Sequence, residues 1–153
     1  MKESSLEQLY RYYKSVASQD MLALAKVNRQ RQNCIMLIEN IQTEVLQSRI
    51  NLQNMWNSGS VVGQHLRLQT EYENEQMDKI SKVKHQIENL DNDIKINRDI
   101  LIKSTTKVKT FEILKKAHKK RLSAKLKKIE SNMLDEAASR QFINRSNNNF
   151  KLC

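Results

Sequence analysis

The eight residues Trp56-Asn57-Ser58-Gly59-Ser60-Val61-Val62-Gly63 hold both glycines of a 153-residue chain that contains no proline. Glycine tolerates positive φ and costs a helix interior about 1 kcal/mol relative to alanine, while proline breaks the helical hydrogen-bond ladder. Neither residue interrupts the chain on either side of this stretch. The pattern predicts a helix over 5–56, a turn over 57–63 and a helix over 64–143. The expected fold is all-α: an antiparallel two-helix coiled-coil hairpin, one coiled-coil domain over 1–153. Its C-terminal helix is longer and overhangs, and residues 144–153 form a disordered tail.

Outward from the turn, each arm carries an apolar row at heptad spacing. In the first arm it runs Leu6, Leu9, Tyr13, Val16, Asp20, Ala23, Val27, Gln30, Cys34, Leu37, Ile41. The frame then slips by one step of four to Val45, Ser48, Leu52 and Met55, which is a stutter, and Met21, Leu24, Ile38, Leu46 and Ile50 widen the stripe. Ser4 followed by Glu7 forms a capping box that would start this helix. Beyond the turn, Leu66 precedes a polar stretch through Tyr72. A second row then runs Ile80, Val83, Ile87, Leu90, Ile94, Asn97, Leu101, Ser104, Val108, Phe111. Glu75–Lys79, Asp78–Lys82, Asp91–Lys95 and Glu112–Lys116 are spaced to pair on the outer face. The apolar row resumes at Leu122, Leu126, Ile129, Met133 and Ala137.

Composition agrees with a solvated helical protein rather than a globular core, with only eight aromatic residues and 29% charged. The net charge is +10, and all of it lies in residues 103–128, where eleven Lys and Arg face the single acid Glu112. Such a block seeks an acidic partner. Two cysteines, Cys34 in an apolar row and Cys153 at the end, make no disulfide framework, so a reduced, cytosolic chain is expected. No apolar leader or membrane-length run occurs.

The first arm has about fifty residues, so folded back it pairs with the second only to about residue 114. Residues 115–142 then project about 40 Å at 1.5 Å per residue. They carry most of the basic block and an apolar stripe that nothing in the chain covers.

No catalytic constellation assembles. His65, His85 and His118 lack partners at metal-ligand spacing and read as ordinary surface or seam residues. No phosphate loop or nucleophile motif is present, so an enzyme, a metal site and a cofactor are not expected. Cys34 reads as packed seam, and Trp56 as either an exposed anchor or a cap on the seam. The run Lys115-Lys116-Ala117-His118-Lys119-Lys120-Arg121, with Lys125, Lys127 and Lys128, has three readings. It is a solvated face, a non-specific nucleic-acid contact, or a dock for an acidic protein. Phe111 is the one aromatic near it, which leaves no stacking platform for bases.

That run, followed by Leu134-Asp135-Glu136-Ala137-Ala138-Ser139-Arg140-Gln141-Phe142, resembles the end of the flagellar FliJ family. The chain length, the opening Leu6-Glu7-Gln8-Leu9 and the central turn also fit. The resemblance implies a non-enzymatic component of the flagellar type III export apparatus, an antiparallel coiled coil similar to the central stalk of rotary ATPases. It implies that the end bearing both termini enters the pore of the hexameric flagellar export ATPase, promoting ring assembly and turnover. It further implies contact with the export-gate membrane protein near the turn and recycling of export chaperones. The location implied is cytoplasmic, at the inner face of the membrane only through partners, with no nucleic acid expected.

Transferred to this sequence, the ring contacts would be Leu122, Leu126, Ile129, Met133 and Ala137 by packing, and Lys116, Lys119, Lys120, Arg121 and Arg140 by charge. The gate contacts would be Ile41, Val45, Leu52, Tyr72 and Ile80, Tyr72 foremost. Glu44 and Ser48 stand where some relatives carry tyrosine. Alternatives are an injectisome stalk of the same fold, a basic nucleic-acid-associated tether, and a parallel homodimeric tether without reversal at Gly59.

Overall fold

The computed structural model describes residues 3–151; Cys153 lies outside them. Two helices make up the fold, α1 at Glu3–Asn57 and α2 at Gly63–Lys151, packed on each other as an antiparallel hairpin. Among the described residues there is no strand. Two expectations at the helix ends change. Ser4 is already helical, so it does not stand at the cap, and Glu7 spends its carboxylate on Lys115 and Arg11 instead. Residues 144–149, expected as disordered tail, continue α2. Nothing in that asparagine-rich stretch breaks a helix that is already nucleated.

The turn explains one of its glycines. Gly59 has φ of 75°, and its N–H donates to the carbonyl of Trp56 at 3.0 Å while that of Ser60 reaches Met55 at 3.1 Å. This paired pattern around a left-handed residue is a Schellman motif, which satisfies carbonyls that the helix end would otherwise leave bare. Gly63 has no such need and simply begins α2. There His65 acts as a cap: its backbone N–H donates to the Val62 carbonyl at 2.9 Å, and its Nδ1 accepts from the Val62 N–H at 3.1 Å. The exchange mimics a capping box, with imidazole in the place of a carboxylate. Trp56 is exposed.

The residues form two compact units, one Ser15–Thr105, the other residues 3–14 with 106–151. In the Ser15–Thr105 unit, α1 buries or half-buries Ala17, Asp20, Leu24, Val27, Arg31, Cys34, Ile38, Ile41, Val45, Ser48 and Leu52, a row that alternates by three and four without a break and needs no stutter after Ile41. Val16 and Ile35 are half-buried beside it. The expected row shares every seventh residue with this one; of its members between them Leu9 and Val16 are half-buried, but Ala23, Gln30 and Leu37 are exposed. Opposite them, Ile80 through Ser104 follow the expected α2 spacing, with Val83 and Ile94 the most buried apolar residues.

Polar pairs mark the register. Arg49 grips Glu73 through Nε at 2.5 Å and Nη2 at 3.3 Å, and Arg31 Nε donates to Asp91 at 2.6 Å. Eighteen residues back along α1 thus match eighteen forward along α2, as antiparallel helices require. The α2 row also extends towards the turn through polar residues. Ser48 Oγ donates to Gln69 at 2.7 Å, Gln69 donates to Glu73 at 3.2 Å, and Gln76 is buried. Of the four outer-face pairs expected, among the described residues only Glu112–Lys116 closes, at 3.9 Å. Asp91 is drawn across the seam to Arg31 instead.

Candidate functional site

In the unit made of residues 3–14 and 106–151, the first turns of α1 cover α2 as far as His118. Leu6 is its buried apolar anchor. Aromatic and charged groups supply the rest. Tyr13 stacks on Phe111 with ring centres 5.0 Å apart and planes 14° from parallel, and Tyr12 meets Tyr13 edge-on at 5.2 Å. Lys115 pairs with Glu7, and its ammonium lies 4.2 Å from the centre of the Tyr10 ring. Lys107 approaches the Tyr13 ring at 5.4 Å. A cation against an aromatic face contributes about 0.5–1 kcal/mol at exposed sites. The Lys115 ammonium, with Arg11 behind it, holds the Glu7 carboxyl below its usual range.

The sequence reading missed this clasp, and the omission corrects one of its inferences. Phe111 is not the only aromatic beside the basic run: Tyr10 and Tyr13 are folded next to it. Counting residues back from the turn would have set Tyr13 near Phe111, both already on the apolar rows. The Glu7–Lys115 pair gave no such signal, because neither residue belonged to a predicted row.

From Lys119 to Asn149 every residue is exposed. That segment, with Lys116 just before it, contains all ten residues expected to meet an ATPase ring. Leu122, Leu126, Ile129 and Met133 lie on the same side of the helix as Val108, Phe111, Lys115 and His118, with one stutter at the step from Leu122 to Leu126, so the bare stripe prolongs the face of α2 that α1 covers. Their exposures of 40, 54, 45 and 65% show side chains with no partner. Lys119 and Lys120 line a shallow depression with Ile113 and Ala117, while Arg121 borders another with Leu6, Leu114 and His118. Arg140 and Ala137 lie farther along, both exposed.

The residues expected at an export gate all fall in the Ser15–Thr105 unit but do not share a surface. Leu52 and Tyr72 line one groove with Met55 and Leu68. Val45 and Ile80 line a second, with Leu46 and Met77, rimmed by Arg49 and Glu73. On α1 the two grooves take opposite flanks of the seam. Ile41 is 7% exposed and belongs to the seam itself. Arg49 donating to Glu73, and Gln69 after it, holds that carboxyl below its usual range; the same contact raises Arg49.

Among the described residues no helix is long and apolar enough to cross a membrane, and no group of three His, Cys, Asp or Glu residues could hold a metal ion. Cys34 is half-buried, its thiol 3.9 Å from Gln86 Oε1. No curated protein and no solved structure matches the chain. A family model described as flagellar FliJ protein matches residues 1–147.

Proposed function

Because the chain belongs to the flagellar FliJ family, and so is a component of flagellar type III protein export, we propose that it is the stalk of the export ATPase. The observation that carries this reading is the bare segment 119–149, a single helix whose apolar stripe and basic flank have no partner in their own chain. A ring pore is a setting in which one helix is covered from all sides. Leu122, Leu126, Ile129, Met133 and Ala137 would pack there. Lys116, Lys119, Lys120, Arg121 and Arg140 would meet acidic or polar loops, which accelerates docking and makes it salt-dependent.

Coupling needs no chemistry of the chain's own. A stalk that binds some states of a hexamer better than others shifts the populations of those states, and so promotes assembly and turnover. The two grooves near the turn would serve the export-gate protein, Leu52 and Tyr72 on one flank, Val45 and Ile80 on the other. Ile41 would support them from within. Export chaperones would be exchanged by the same component as it passes between ring and gate.

The test adds the purified protein to the cognate export ATPase and follows turnover and hexamer formation. Wild type should stimulate both, and Leu126→Glu with Met133→Glu should lose most of the effect while melting normally. No stimulation together with a steep salt slope on generic DNA would favour a nucleic-acid tether instead.

A further inference from the structure

We infer that, in the free protein, the bare face of α2 pairs antiparallel with the same face of a second copy of this chain. Three observations on the 119–149 segment point to that occupant. First, the stripe Leu122, Leu126, Ile129, Met133 is the direct continuation of an existing helix–helix interface. A helix covering it antiparallel therefore meets the same face that α2 already turns to α1, with one stutter between Leu122 and Leu126.

Second, charge is polarised along the segment. Residues 119–128 carry six Lys or Arg and no acid, whereas residues 129–149 hold Glu130, Asp135 and Glu136 against Arg140 and Arg145. An antiparallel copy sets the basic half of each helix against the half with all the acids. A parallel copy would set six cations against six, which costs stability. Third, the lengths match by symmetry. In an isologous two-fold pair the bare length on one chain equals the covering length supplied by the other. Each overhang can then run until it meets the start of its partner's α1. Ile143, three heptads beyond Leu122 on the same face and 56% exposed near the tip, supplies an apolar side chain towards the partner's Leu122.

This pairing stands independently of any ring. Analytical ultracentrifugation of the full chain should show the mass rising from one chain towards two with concentration, and the pairing should weaken as salt is raised. Leu126→Glu with Met133→Glu, both on exposed positions, should restore a single-chain mass at the same concentration with an unchanged helix signal. Glu136→Lys should weaken the pair without touching the stripe. Orientation is read from spin labels in a background with Cys34 and Cys153 replaced by serine. Labels at Asn132 should approach one another between copies, whereas labels at Ser123 should stand on the order of 30 Å apart from the helical rise. A single chain at every concentration, a dimer indifferent to Leu126→Glu with Met133→Glu, or equally short distances at both labels would overturn the inference.

Discussion

Single residues in this protein show how little of a glycine's meaning lies in its name. Gly59 and Gly63 look equivalent in the sequence, yet only Gly59 sits at positive φ, and neither has an atom within 4 Å of where a Cβ would stand. Substitution therefore tests backbone conformation alone. Gly59→Ala should cost about 1–2 kcal/mol, while Gly63→Ala should be neutral or slightly stabilising, measured by urea denaturation. The carboxylates give a second prediction. Glu7 and Glu73 have folded-state pKa values lowered by Lys115 and by Arg49. Their contribution is present above the usual carboxylate range and is lost as pH falls through the lowered values. The urea midpoint should hold at neutral pH and drop below about pH 4. Glu73→Gln should lower the neutral midpoint and flatten the acid limb.

At the scale of the helix, legibility depended on whether the pattern was ambiguous. Along α2 from Ile80 to Phe111 the apolar steps admit one alternation of three and four, and the burial follows it. Along α1 the residues Leu6, Tyr13, Asp20, Val27, Cys34 and Ile41 are common to two rows, and both candidate partners between them are often apolar. The choice between Leu37 and Ile38, or between Ala23 and Leu24, is settled by what lies across the seam, which a lone sequence does not contain. Replacing the chosen residue should hurt far more than replacing its neighbour. Ile38→Ala, at a half-buried position, should destabilise by about 1–2 kcal/mol, whereas Leu37→Ala, at an exposed position, should stay within about 0.5 kcal/mol. Equal effects would revive the discarded row. The clasp at Tyr10, Tyr13 and Lys115 was hidden for a related reason: its pairs appear only once both helices are aligned.

For the molecule as a whole, the overhang was visible from arm lengths alone, since a reversal at Gly59 leaves the second arm too long. The structure moves its start from residue 115 to 119, because Leu6 and Tyr10 reach farther along α2 than an ideal count allows. Truncation after His118 should thus leave the melting temperature within a few degrees of the full chain while removing stimulation of the ATPase. A large drop in melting temperature would mean that the bare segment supports the hairpin. The two grooves beside the seam were the least legible, because they form between helices and not along either one.

The Arg31–Asp91 pair has a mechanical corollary. Sliding one helix past the other by a heptad would keep apolar layers facing apolar layers. Here such a slip would bring Arg31 opposite Lys84 in one direction or Arg98 in the other, cation against cation either way. Arg49 would face Leu66 or Ile80, having left its carboxylate behind. Longitudinal creep is therefore penalised in both senses, and a push applied to one strand of the hairpin is handed to the other as a tilt or a twist.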